Sequence, residues 1–148
     1  MIHFERSLTI DATPDAVWAV LSRFMQIDEF APEITSVDAL TEGEIGLGSK
    51  RRNHFANGTS LVETVTDWTP GTSYTVALSE MAAMPLHAAM SEIRITPVTG
   101  ASKVTWMFDY RVKYGPIGWL MGHTVMKIMM GKVIDANLRG LAQKVRSG

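Results

Sequence analysis

The sequence predicts an α+β fold: a curved antiparallel sheet of about seven strands, a long C-terminal helix, and two short helices between strands 1 and 2. Three observations support this prediction. Apolar residues alternate with period two near the N-terminus and again from residue 34 to about residue 114. The connections between these segments are too short for parallel crossovers. Apolar residues in a final segment have helical spacing. The simplest way to pack this helix on the sheet is to curl the sheet around it.

The N-terminal segment 2–10 carries apolar residues at even positions, interrupted only at Arg6, which predicts strand 1. Thr13 is a suitable N-cap and Pro14 a suitable first residue for the first short helix. A second short helix is predicted around 25–30, ending before Pro32. Pro116 opens the last helix, which runs to about Val145. The remaining strands are predicted at 34–40, 49–55, 60–68, 73–80, 87–96 and 103–113.

The bulk composition predicts one domain over residues 1–148, with 46% hydrophobic and 20% charged residues. A net charge of −1 argues against nucleic acid as a partner. The absence of cysteine excludes disulfides and thiolate chemistry. The N-terminus does not resemble a signal peptide, and no apolar run approaches the length of a membrane span, so a cytoplasmic location without stable membrane insertion is expected.

Several short segments resemble one known superfamily in their order along the chain. They are Ile10–Leu21 (IDATPDAVWAVL), Phe30–Ile34, Gly46–Gly48, Glu63–Pro70, Lys103–Trp106 and Gly115–Gly118. Together they resemble the START-like (SRPBCC) superfamily and its polyketide cyclase/dehydrase-like branch over essentially the whole chain. The resemblance implies the helix-grip fold. It also implies a cavity for a small hydrophobic molecule, or cyclase or dehydratase chemistry in that cavity, and it implies no cofactor.

The last strand and the last helix supply most of the predicted ligand-binding residues. Apolar positions on strand 103–113 should face the helix, where core packing is favoured and an aromatic wall of the cavity is the alternative. The apolar stripe of the helix, extended backwards from Met130, includes a histidine that is either a core residue or a polar anchor. The residues predicted from these two elements are Trp106, Phe108, Tyr110, Trp119, His123, Met126 and Met130.

Two other strands carry polar candidates. On strand 49–55, Arg52 and His54 share a face, which is either solvated or reaches the cavity mouth. Both are predicted to contact the ligand. Met84 and His87, near the connection before strand 87–96, are predicted ligand contacts as well. On strand 60–68, one register turns Glu63 inward, and the other turns Val62, Thr64, Thr66 and Trp68 inward. The sequence does not choose between these two registers. The candidate catalytic residues are His123, Tyr110 and Glu63.

The four histidines have no metal-binding spacing, so no metal site is predicted. A second apolar set on the last helix, Met121, Val125, Ile128 and Met129, lies opposite the sheet-facing stripe. It packs under the loop at 80–87, forms a homodimer surface, or gates the cavity, with loop packing and gating favoured.

The leading functional hypothesis is binding or transport of a small hydrophobic or amphipathic molecule of lipid, polyketide, isoprenoid or quinone type. The second is a polyketide cyclase or dehydratase, which needs two acid/base candidates near one point. The third is a protein-interaction module that uses the outer apolar face of the last helix.

Overall fold

The computed structural model describes residues 2–81, 86–113 and 115–147, with the backbone alone for residues 119 and 122. The predicted α+β architecture is confirmed: seven antiparallel strands form one curved sheet in the order β1-β7-β6-β5-β4-β3-β2. Strands β2 to β7 form a meander, and β1 closes the order by pairing with β7. The strands are β1 Ile2–Ile10, β2 Ile34–Ala39, β3 Lys50–Phe55, β4 Ser60–Thr69, β5 Ser73–Ser79, β6 Leu86–Val98 and β7 Ala101–Val112.

Two short helices follow β1, as predicted. Helix α1 spans Pro14–Leu21, and a 3₁₀ helix spans Phe24–Glu29. The hydroxyl oxygen of Thr13 caps α1 by accepting a hydrogen bond from the amide of Ala16 at 3.2 Å. These helices lie between β1 and β2, where they cover one end of the sheet.

The last helix is one continuous run in three parts: α2 Gly115–Met121, a π-helical turn Gly122–Met126, and α3 Lys127–Ser147. A π-helical turn inserts extra residues per turn and so rotates everything before it relative to everything after it. In the described residues, no helix is both long enough and apolar enough to cross a membrane.

Helix α3 packs against β1 and α1 and closes the core. Its buried apolar face consists of Ile134, Leu138, Leu141, Ala142 and Val145. The helix also approaches the backbone of the 3₁₀ helix end very closely. A β-carbon added at Gly140 would lie 1.9 Å from the carbonyl oxygen of Phe30. Only glycine allows α3 to lie this near the chain.

Strand β4 contains a bulge that resolves its two predicted registers. Up to Val65 the inward set contains Leu61 and Glu63, as one register predicted. The pairing with β5 then shifts between Val65 and Asp67. After the shift Trp68 lies on the inner side, where its ring stacks on Tyr74 with centroids 5.5 Å apart. Each register is therefore correct for part of the strand, because a bulge adds one residue to one side of the ladder.

His3 makes the pairing of β1 with β7 depend on pH. The Asp109 carboxylate, 2.5 Å from Nδ1, and the Glu5 carboxylate, 3.3 Å from Nε2, raise the pKa of His3 above 6.5. A raised pKa in the folded state stabilises the protein below pH 6.5, and this contribution is lost as the pH rises through the folded-state pKa. We expect a His3→Gln variant to melt below the wild type at pH 5.5 and to match it at pH 9. Equal differences at both pH values would contradict this.

Candidate functional site

Three polar side chains lie together on the concave face of the sheet. Strand alternation places Arg51 and Asn53 of β3 on the same face as Glu63 of β4, and all three are buried. Nε and Nη2 of Arg51 donate to Oε1 of Glu63 at 2.9 and 2.7 Å. Nδ2 of Asn53 donates to the same oxygen at 2.5 Å. We call these three residues the polar cluster.

The guanidinium of Arg51 is held from two further directions. Its Nη1 donates to the carbonyl oxygen of Phe24 at 2.7 Å, and its Cζ lies 3.8 Å from the centroid of the Phe24 ring. Burial opposes the charge of Arg51, but attraction to the Glu63 carboxylate raises its pKa above the usual value. Burial also raises the pKa of Tyr74, so its phenol is neutral at physiological pH. The 3₁₀ helix and the sheet are thus joined through one buried cation.

The amide oxygen of Asn53 is an unused acceptor. A carboxylate only accepts, so the contact with Glu63 fixes the Asn53 amide with Nδ2 toward Glu63 and Oδ1 away from it. Oδ1 is buried and finds no hydrogen-bond partner among the described residues. A buried acceptor of this kind costs free energy until a donor reaches it. The site therefore has a fixed position for a hydrogen-bond donor.

The polar cluster belongs to one cross-strand row. The register pairs Arg51 with Glu63, Glu63 with Leu78, Leu78 with Ala89, and Ala89 with Tyr110. All five residues are buried. Three strand spacings separate Glu63 from Tyr110, so their α-carbons lie about 14 Å apart along the sheet. The carboxylate of Glu63 and the phenol of Tyr110 thus lie on either side of two apolar residues, Leu78 and Ala89. The side chain of Ala89 is small.

The three aromatic residues of β7 lie on the concave face, where they belong to the core. Trp106, Phe108 and Tyr110 of β7 are all buried, and burial raises the pKa of Tyr110. The rings of Phe108 and Tyr110 lie 5.5 Å apart, and Phe4 of β1 packs against both. The indole nitrogen of Trp106 donates to the hydroxyl oxygen of Ser91 at 2.7 Å. Trp106 therefore packs with its polar group satisfied by the sheet.

An open pocket of about 400 Å³ adjoins this row at its middle residue. Leu78 belongs both to the pocket and to the row, so the pocket adjoins the position between Glu63 and Ala89. His87, a predicted ligand contact, is exposed at its edge. Met84 lies outside the described residues. The lining residues are Leu78, Ser79, Glu80, Met81, Leu86, His87 and Lys113.

Arg52 and His54, which were predicted to be ligand contacts, lie on the face of β3 opposite the polar cluster. Both lie on the outer face: Nη2 of Arg52 donates to Glu80 at 2.8 Å, and Nε2 of His54 lies 2.7 Å from an oxygen of Asp38. Strand β3 carries polar residues on both faces, so its alternation alone does not identify the inner one. Arg51 and Asn53 were missed for the same reason, since the partner that fixes them, Glu63, is on another strand.

His123 was predicted to face the sheet, but it is exposed. The prediction extended the α3 stripe backwards at a constant 100° per residue. The π-helical turn at Gly122–Met126 breaks this constant angle, and the described residues 123–125 within it are all exposed. Met126 and Met130, from the same stripe, are half-buried against the core. Trp119 lies in α2, and its side chain is outside the described part of the chain.

No group of three or more histidine, aspartate or glutamate side chains among the described residues is arranged to hold a metal ion. Two titratable side chains of the concave face, Glu63 and Tyr110, are both buried. Glu63 shares its oxygen with two donors, and Tyr110 lies three strands away. The arrangement suits orientation of a bound molecule through hydrogen bonds, with apolar burial on either side.

Comparison with known proteins gives a family and a fold. A family model described as "Polyketide cyclase / dehydrase and lipid transport" matches residues 1–146. No curated protein sequence matches. The XoxI protein of Bacillus cereus is 21% identical, with a TM-score of 0.80 over 98% of this chain and 96% of that one.

Two enzymes share the fold at lower identity. The ZhuI aromatase/cyclase of a Streptomyces species is 16% identical, with a TM-score of 0.82 over 98% of this chain and 93% of that one. A norcoclaurine synthase of Thalictrum flavum is 15% identical, with a TM-score of 0.75 over 99% of this chain and 94% of that one. At these identities the likeness concerns the fold and not the activity.

Proposed function

This chain belongs to the polyketide cyclase/dehydrase and lipid transport family, and from this premise we propose that it binds a small hydrophobic or amphipathic molecule between its sheet and its last helix. One observation carries the proposal. The apolar concave face contains a buried polar cluster whose acceptor, Oδ1 of Asn53, has a fixed direction and no partner among the described residues. Buried polar atoms without a partner are uncommon. In the described part of the chain they are Oδ1 of Asn53 and Oδ1 of Asn137 in α3, and only the first belongs to the polar cluster.

The binding energy comes from the apolar part of the ligand. Contact with the wall of Phe108 and Tyr110 and with Leu78 contributes roughly 25 cal/mol for each Å² of apolar surface removed from water. The open pocket at Leu78 has the volume of small-molecule sites and supplies an entrance. The polar cluster contributes orientation, because Oδ1 of Asn53 accepts from a hydroxyl or an amine but repels a carbonyl oxygen. The favoured ligand is therefore an apolar ring or chain with a hydrogen-bond donor.

The test is binding of a matched pair of probes, 1-naphthol and 1-methoxynaphthalene, measured by titration calorimetry. The phenol donates a hydrogen bond and the ether does not, so the wild type should prefer the phenol about five- to tenfold. Asn53→Leu keeps the side-chain volume and should abolish that preference. Asn57→Ser, in an exposed turn away from the concave face, should retain it.

Native mass spectrometry of the purified protein provides an independent measurement. A released small molecule with a phenol, alcohol or amine group would agree with the proposal. The proposal fails if neither probe binds and the protein carries no small molecule. It also fails if Asn53→Leu leaves the preference for the phenol intact.

A cyclase or dehydratase is the second candidate, supported by the family and by the shared row of Glu63 and Tyr110. A polyketone lying along that row would meet a carboxylate at one end and a phenol at the other. The separation of about 14 Å favours binding over catalysis, because one reacting carbon needs both groups within hydrogen-bond reach. If Tyr110→Phe lowers turnover of a linear polyketone without lowering its affinity, the result would support a cyclase or dehydratase function.

A further inference from the structure

The first half of the last helix has an outer face covered with large apolar side chains. Six of them are between 45% and 73% exposed. Successive members lie three or four residues apart, or are direct neighbours, so they form one stripe along the helix. We call it the outer stripe; its members are Ile117, Leu120, Met121, Val125, Ile128 and Met129. A face of this size needs a partner, because soluble proteins rarely leave such contiguous apolar surface to water.

The charged residues in the segment that carries the outer stripe all have one sign. Between Asp109 and Asp135 the chain contains no aspartate or glutamate. Its basic residues in this interval are Arg111, Lys113, Lys127 and Lys132. The whole chain has a net charge of −1, so this segment is a local basic region on a slightly acidic protein. A partner that covers the stripe must be apolar at its centre and negative at its margins.

We propose that the outer stripe docks onto an anionic lipid surface, with the helix lying flat in the headgroup region. The apolar side chains would enter the boundary between headgroups and acyl chains. Lys113 precedes the helix and Lys132 lies one turn beyond Ile128 on the same face, so a cation at each end of the stripe meets the phosphate layer. This is peripheral attachment and requires no spanning segment.

A homodimer through the same face is disfavoured by these charges. In a two-fold dimer the same patch meets itself. The lysines of one copy would then approach those of the other, and no acidic side chain lies within this segment to pair with them. An anionic lipid surface supplies the negative charge that a second copy lacks.

The docked orientation would bring the open pocket to the lipid surface. Lys113 lines that pocket and lies two residues before α2 begins. A small apolar molecule could then pass between lipid and pocket without crossing water. The docking proposal rests only on the outer stripe and its charges, so it stands or falls separately from the binding proposal.

The test is co-sedimentation with vesicles of phosphatidylcholine alone and of phosphatidylcholine containing about one third phosphatidylserine. The wild type should bind the anionic vesicles at least about fivefold more tightly, and added salt should remove most of the difference. Ile128→Glu should weaken binding about tenfold or more, because it places a charge in the apolar stripe. Lys132→Glu should weaken it about fivefold or more.

Two matched controls distinguish binding through the outer stripe from non-specific vesicle binding. Leu47→Glu changes a leucine that is 76% exposed in a loop outside the last helix, and Lys103→Glu changes an exposed lysine in β7. Both should bind vesicles like the wild type. Equal binding to the two vesicle types would overturn the proposal, as would equal losses in the controls. It would also be overturned if light scattering shows a dimer that Val125→Glu dissociates. Naphthol binding by the same variants reports separately on the interior.

Discussion

Replacing Glu63 with leucine is expected to lower the free energy of unfolding by about 3–5 kcal/mol. The change keeps a side chain of similar size but removes the partner of Arg51, which is 1% exposed. The guanidinium would remain charged in the interior with one carbonyl acceptor, the Phe24 oxygen. Nδ2 of Asn53 would lose its acceptor as well. Urea denaturation of the variant and the wild type measures the difference.

The double variant Arg51→Met/Glu63→Leu separates two quantities: the free-energy cost of an unpaired buried charge, and the stability that the intact ion pair contributes. Replacing both members of a buried ion pair with apolar residues is often neutral or stabilising, so most of the lost stability should return. A remaining cost of about 1–2 kcal/mol is expected because Asn53 still lacks its acceptor. If the double variant is as unstable as the single one, a buried charge is not the cause.

An exposed ion pair of the same residue types provides the control. Arg94 and Glu92 lie 2.9 Å apart with both side chains partly exposed. Glu92→Leu should cost less than about 1 kcal/mol, because water already screens that pair. The stable double variant should also lose the preference for 1-naphthol, since nothing then fixes the amide of Asn53. Stability and ligand orientation would thereby be measured in different experiments.

The strands and helices could be predicted because their signals are local. Period-two alternation located all seven strands, and Thr13 followed by Pro14 located α1. The aromatic wall was predictable for the same reason, since Trp106, Phe108 and Tyr110 alternate on a strand whose other residues are polar or mixed. Each of these inferences needed only the residues of one element.

The polar cluster could not be predicted because it depends on contacts between elements. Strand β3 is polar on both faces, so the choice between Arg51 and Arg52 rests on Glu63 of β4 and on Phe24 of the 3₁₀ helix. The placement of His123 failed for a related reason. A π-helical turn changes the angle per residue, and the apolar stripe in the sequence carries no sign of that change.

Substitution of Gly140 with alanine should have the second large effect. Alanine normally stabilises a helix interior by about 1 kcal/mol relative to glycine. Here the added β-carbon would lie 1.9 Å from the carbonyl oxygen of Phe30, and backbone cannot move aside as a side chain can. We expect a net loss of about 3 kcal/mol, at the upper end of overpacking costs, and a melting temperature lower by about 6–12 °C.

Gly131→Ala is the matched control in the same helix. Its β-carbon would meet Nη2 of Arg6 at 2.7 Å, which is the far end of a flexible and partly exposed side chain. Arg6 can rotate away, so this variant should melt within about 2 °C of the wild type or slightly above it. If both variants lose stability equally, helix geometry and not the contact with Phe30 explains the loss. If Gly140→Ala alone is destabilised, the close approach of α3 to the backbone of Phe30 is the cause.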